Sequence, residues 1–203
     1  MSYPISTFFT SSTKRGLTFG LIGLGLIVGM GDCVHNDEMA PTLPKYSWVW
    51  SENIQPEAVQ IGDLVWVTDP HHPERLHMRR VIGQHGDQMQ YINDGFLRNG
   101  KRFPVLDMRE WEEHSRVWKE TFYQDNQEIS WEIIQPNQNT EWHNTKSTIA
   151  DGSLYLACDH RAKCTDSRWW GAISKTRIEK KIQFGLCLFC KEGMNKRSIV
   201  LYY

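Results

Sequence analysis

Charge of one sign in excess is missing from this chain. Its 203 residues include 23 basic and 24 acidic ones, a formal net charge of −1. That excludes a polyelectrolyte partner, so no nucleic acid is expected to bind. A second C-x-x-C is missing too. Cys187 and Cys190 form a lone one with no histidine pair beside it, so neither a metal site nor a cofactor is expected. His71-His72, with His77 and His85, are joined by no cysteine or carboxylate cluster. Pro70 and Pro73 mark the histidine pair as a solvated turn. Internal repeats and low-complexity tracts are absent, and the length fits one domain with at most a subdomain.

Long apolar runs are absent with one exception. Residues 16–30 carry no charge, and the next charged residue is Asp32. A helix over them is roughly 22 Å long, short of the ~30 Å hydrocarbon core. Cys33-Val34 and the apolar residues further upstream extend it. A cleaved secretory signal is the rival, but no small-x-small site follows cleanly. The run is therefore read as a retained transmembrane helix over 16–34. Lys14 and Arg15 flank it, which places residues 1–15 in the cytoplasm and 35–203 outside. Gly16, Gly20, Gly23, Gly25 and Gly29 favour close approach of a second membrane helix.

What the chain has in plenty is tryptophan, nine in all. Trp48, Trp50, Trp66, Trp169 and Trp170 flank polar residues, as in strands that meet an interface or a partner; most single ones are expected in the core. The five cysteines are Cys33, Cys158, Cys164, Cys187 and Cys190. In an oxidising compartment the last four suffice for two disulfides of undetermined connectivity. Strand alternation disfavours a Cys187–Cys190 bridge.

Beyond the apolar run, the pattern is β. Strands are predicted over 47–51, 64–68, 77–83, 89–92, 154–157, 178–189 and 199–203. Gly62-Asp63, Asp94-Gly95 and Asn99-Gly100 are turn signals. Residues 105–150 are polar, with Trp111, Trp118, Trp131 and Trp142 spaced along them. These spacings predict a mainly β domain of coiled antiparallel sheets.

Three short blocks carry the functional information: Asn36-Asp37-Glu38-Met39-Ala40-Pro41-Thr42-Leu43, Met78-Arg79-Arg80-Val81-Ile82-Gly83-Gln84-His85-Gly86-Asp87 and Asp166-Ser167-Arg168-Trp169-Trp170-Gly171. Together, over about 15–100 and 150–185, they resemble the conserved boxes of bacterial signal peptidase I, a membrane-anchored Ser/Lys peptidase. The resemblance implies the family's fold, with a variable β insertion at about 105–150. It also implies that Glu38 stands where the family has its nucleophilic serine and Arg79 where it has its lysine base. Guanidinium cannot be deprotonated at accessible pH, so Arg79 cannot serve as that base. Cys164 replaces the serine that orients the lysine, and Asn36 stands at the oxyanion-hole serine. Asp159, Arg161, Asp166 and Arg168 match the buried acid–base pairs under the family's active site. Met39, Pro41 and Thr42 keep its turn and are candidate cleft residues.

These substitutions imply a catalytically inactive relative, and an ion pair between Glu38 and Arg79 is predicted, since neither charge is tolerable there alone. A nucleophilic Cys33/His35 pair has no suitable geometry. The expected protein sits in the bacterial inner membrane with its β domain in the periplasm. Its partners would be subunits of a membrane or secretion assembly such as a conjugation system, or a secreted or pilin-like precursor, with an active signal peptidase alongside. The alternative is an active processing endopeptidase with a rearranged site.

Overall fold

The computed structural model describes residues 31–92, 95–111, 115–124, 126–136, 146–187 and 199–201. The predicted cytoplasmic segment and nearly all of the anchor lie outside them, as does Cys190. Among the described residues no helix is long and apolar enough to cross a membrane.

The described chain is built from short antiparallel strands. In order they are β1 (Asp32–Cys33), β2 (Trp48–Glu52), β3 (Leu64–Thr68), β4 (Leu76–Gln84), β5 (Gln88–Ile92), β6 (Gly95–Arg98), β7 (Lys101–Arg102) and β8 (Val105–Glu110). There follow β9 (Ser115–Gln124), β10 (Gln127–Pro136), β11 (Lys146–Thr148), β12 (Ser153–Ala157), β13 (Ile173–Ser174), β14 (Ile178–Leu186) and β15 (Ile199–Leu201). One helical turn, α1 (Ser167–Trp170), lies between β12 and β13.

Three sheets result. The largest runs β1-β2-β14-β3-β4-β12-β13, with β15 also on β14; the others run β10-β9-β8 and β11-β5-β6-β7. Register shifts in β14, in β8 and between β12 and β4 bend the ladders, because an extra residue on one strand sharpens its twist. The fold is mainly β with curled antiparallel sheets, as expected.

Turn chemistry accounts for several of the joins. Asn99 and Gly100 both adopt positive φ, 53° and 77°, between β6 and β7. That is the backbone an Asn-Gly hairpin turn requires. Gly185 serves a different purpose, since a Cβ there would collide with the Leu43 side chain. Its absence leaves room for the Leu43 side chain against β14.

The main core gathers Val65, Val67, Val81, Ile82, Phe96, Phe122, Ile133 and Leu156 between the sheets. A second apolar cluster packs Met39 and Leu43 against Leu64, Met78 and Ile182. It fixes the 36–43 turn to the strands that carry the site. β4 passes through the middle and is buried from Met78 to Gly83. Successive side chains on a strand face opposite ways. The adjacent Arg79 and Arg80 therefore serve two different networks.

The 105–150 stretch departs most from its polar appearance. β8, β9 and β10 form a sheet in which Val117, Phe122, Ile133 and Ile134 are buried. Ile134 also donates its N–H to the Asp159 carbonyl and accepts from the Arg161 N–H, both at 2.9 Å. This stretch thus forms one wall under the candidate site.

Candidate functional site

The three sequence blocks meet where the 36–43 turn, β4 and the 158–168 loop converge. The turn is closed by the Leu43 N–H donating to the Met39 carbonyl at 2.8 Å. It is tied to the loop by the His160 N–H donating to the Glu38 carbonyl at 3.0 Å. Thr42 Oγ1 donates a short hydrogen bond to Asp159 Oδ2.

Glu38 and Arg79 form the predicted ion pair, with Arg79 Nη1 donating to Glu38 Oε2 at 2.8 Å. The Arg79 side chain is fully buried, whereas 19% of the Glu38 side chain is exposed. The other guanidinium donors are engaged as well. Nε and Nη2 donate to the Thr165 carbonyl at 2.9 and 2.6 Å, and Nη1 reaches the Met78 carbonyl at 2.6 Å. The Trp170 ring lies 5.5 Å from the guanidinium carbon, within range of a cation–π contact.

His77 belongs to this site, although the sequence placed it only at the start of the strand predicted over 77–83. His71 and His72 are exposed, as expected. His77 lies on the same face of β4 as Arg79 and is half-buried. Its Nδ1 is 3.5 Å from Glu38 Oε2 and its Nε2 is 3.1 Å from Asp69 Oδ2. Asp69 is fixed in turn by the His71 and His72 backbone N–H groups, at 2.7 and 3.0 Å from its Oδ1. Neither Asp69 nor His77 lies in a resembling block, and no local pattern marks them. Only the β3–β4 pairing, which sets Val67 opposite His77, brings them together.

Both acids are held ionised. Burial pushes the Glu38 carboxyl up, but the His77 contact and the Arg79 charge outweigh it and leave its pKa below the ordinary value. Burial likewise works against Asp69, and the His71 and His72 amides with His77 bring it below the usual range.

Beneath the mouth lies a floor of buried charge. Asp159, Arg161, Asp166 and Arg168 are all buried there. Asp166 pairs with Arg168 through Nε and Nη2 at 2.8 and 2.9 Å. The other two residues do not pair with each other. Asp159 takes both Nε and Nη2 of Arg80, at 2.8 and 2.6 Å, while Arg161 pairs with Glu120 of β9. Trp131 Nε1 also donates to Glu120, at 2.9 Å. The sequence reading missed Arg80 and Glu120. Arg80 was legible as the second arginine of a resembling block, but Glu120 lies in the 105–150 stretch, where no motif pointed to it.

Cys164, expected at the lysine-orienting position, is disulfide-bonded to Cys158, with Cα atoms 6.5 Å apart. Their sulfurs and the Asp166 carboxylate are the three potential ligand groups that lie together among the described residues. Sulfurs spent on each other are not thiolate ligands, so this cluster does not suit a metal. The bridge closes the loop that presents the Thr165 carbonyl to Arg79. Cys187 is also disulfide-bonded, and Cys33 is a free thiol.

Asn36 is exposed, and its Oδ1 accepts the Glu38 backbone N–H at 3.2 Å. Met39 and Pro41, read as candidate cleft residues, are buried. Thr42 is half-buried, with its hydroxyl committed to Asp159.

The crystal structure of a signal peptidase I from Enterococcus faecalis V583 is similar to this chain at 17% identity, with a TM-score of 0.36. The alignment covers 60% of this chain and 93% of that one. No curated protein matches the sequence. The family described as signal peptidase, peptidase S26, matches residues 19–187. With most of its length inside that match, the chain belongs to the signal peptidase, peptidase S26 family.

Proposed function

We propose that this protein is a catalytically inactive member of the signal peptidase family that binds at the former catalytic site instead of cutting. The observation that carries the reading is the state of Arg79. A guanidinium does not deprotonate near neutral pH. This one is also fully buried, with its donors spent on Glu38, Thr165 and Met78. Two further contacts support it. Asn36 Oδ1 occupies the Glu38 amide, the kind of backbone donor that stabilises an oxyanion in an acyl-transferring enzyme. Cys164, bonded to Cys158, has no hydroxyl with which to orient a base.

The bound species is an extended segment of a secreted or membrane precursor, added as a strand, or a neighbouring subunit of a membrane assembly. Conjugation and pilus systems are the setting we favour. Residues 16–34 anchor the chain in the inner membrane, with the β domain in the periplasm. These assignments rest on the sequence pattern and on family analogy.

One observation favours the other reading, an active endopeptidase with rearranged chemistry. A histidine oriented by an aspartate beside a second carboxylate is a plausible acid–base group. The detergent-solubilised protein, incubated with a labelled precursor, separates the two. No cleavage is expected from the wild type. Specific cleavage that disappears in Glu38→Ala would establish the active reading instead. Stoichiometric co-purification from native membranes in mild detergent then tells a fixed set of subunits from uncleaved precursors.

A further inference from the structure

His77 faces a carboxylate with each of its ring nitrogens. Nε2 lies 3.1 Å from Asp69 Oδ2 and Nδ1 lies 3.5 Å from Glu38 Oε2. A neutral imidazole has one N–H and one lone pair, so it can donate to only one of them; its other nitrogen would turn a lone pair toward an anionic oxygen. Only the imidazolium satisfies both contacts.

The two carboxylates do not hold the ring equally. Asp69 is nearer and more buried, with 7% of its side chain exposed against 19% for Glu38. Its other oxygen is fixed by two backbone N–H groups. Glu38 sits on a turn and keeps Arg79 as a second partner. When the ring loses a proton, the remaining one therefore stays on Nε2, and Glu38 is the partner that is lost.

We propose that Asp69, His77 and Glu38 form a proton-operated latch at the mouth of the site. With the ring protonated, Glu38 is pinned to the β3–β4 hairpin through His77 and Asp69. With the ring neutral, His77 remains on Asp69, and Glu38 is held by Arg79 alone. The four groups then pass from overall neutrality to one net negative charge, and the exposed part of that charge is the Glu38 carboxylate.

The groups around the ring come from several elements. From the 36–43 turn comes Glu38, and from the end of β3 comes Asp69. Arg79 lies two residues further along β4. Arg177, in the turn before β14, donates to the Asp69 carbonyl at 3.4 Å. The Trp170 indole of α1 packs 5.8 Å from the ring, tilted by 45°.

The test is long-range proton–nitrogen NMR on the full chain in detergent micelles, with nitrogen-15 in its eight histidines. His77 is assigned by its loss in His77→Gln, and the titration runs from about pH 5 to 9, where histidines change charge. The expected result is an imidazolium at the acid end that converts to the Nε2–H tautomer. The carboxyl carbon of Glu38 should shift with the same midpoint. In Glu38→Gln the Nε2–H tautomer should be retained. In Asp69→Asn the tautomer preference should weaken. A neutral ring at the acid end of a folded sample overturns the proposal. So does an Nδ1–H tautomer at the alkaline end, or a Glu38 carboxyl that does not follow the ring. Glu38→Gln alone is decisive if Asp69→Asn fails to fold.

Discussion

The mouth and the floor of this site are both made of ion pairs, yet they are built on different terms. In the floor, Asp166–Arg168, Asp159–Arg80 and Glu120–Arg161 are desolvated at both ends. At the mouth, Arg79 is desolvated and Glu38 is partly open to water. Removing one partner from a floor pair strands a charge with no solvent to take over. At the mouth, water can replace part of what is lost. The difference teaches that the floor pairs hold the structure together, whereas the mouth pair is adjustable.

The sharpest way to break this comparison is to strip the floor. Asp166→Ala removes the carboxylate that accepts from Arg168 and from the Cys158 backbone N–H. It should cost about 3–5 kcal/mol in denaturant unfolding, the usual penalty for orphaning a buried charge. A loss close to zero would mean that water reaches the floor. At the mouth, Glu38→Ala should cost less, about 1–3 kcal/mol, because Arg79 retains the Thr165 and Met78 carbonyls. Combined with Arg79→Met, it should be far from additive, with a coupling of about 0.5–3 kcal/mol. Additivity would show that the pair contributes nothing as a pair.

Acid sharpens the contrast further. For Asp166, burial raises the carboxyl, but the Arg168 charge and hydrogen bonds outweigh it, and the net shift is downward. An acid with a depressed folded-state pKa stabilises the fold above its unfolded value, and that contribution is lost as pH falls through the folded value. Glu38 and Asp69 have the same sign. The unfolding midpoint should therefore drop as pH falls below about 4, and less steeply in Asp166→Ala. Glu120 has the opposite sign, because burial lifts its carboxyl despite Arg161 and Trp131. Its contribution is lost as pH rises through the folded value, so Glu120→Gln should flatten the alkaline side of the profile. The smallest effect belongs to the surface. Asp107 pairs with Arg116 in the open, and Asp107→Asn should leave the unfolding midpoint where it is.

How much of this was legible in the sequence varies by element. β3 was predicted over the observed 64–68, and β2, β4, β5, β12 and β14 were found with ends displaced by a few residues. Their alternating apolar residues and Gly-Asp turns are local signals. The individual strands within 105–150 were not read from the sequence, because β8 is mostly exposed and its neighbours mix charge with apolar residues. Their burial comes from each other and from the 158–168 loop. The Glu38–Arg79 pair was legible because both residues fall on positions that the resemblance brings together. His77, Asp69, Arg80 and Glu120 were not read into the site, since each gains its meaning from a residue distant in the chain or across a strand pair.

By itself, the sequence determined the β character, the tight turns, the family and the presence of two opposite charges, Glu38 and Arg79, in the first two blocks. Those are properties of residue type and of spacing along the chain. The tertiary structure alone decided the Cys158–Cys164 bridge, the partner of each buried arginine, and the place of His77 between two carboxylates. Charges are sorted by distance and by access to water, and neither quantity exists until the strands are paired.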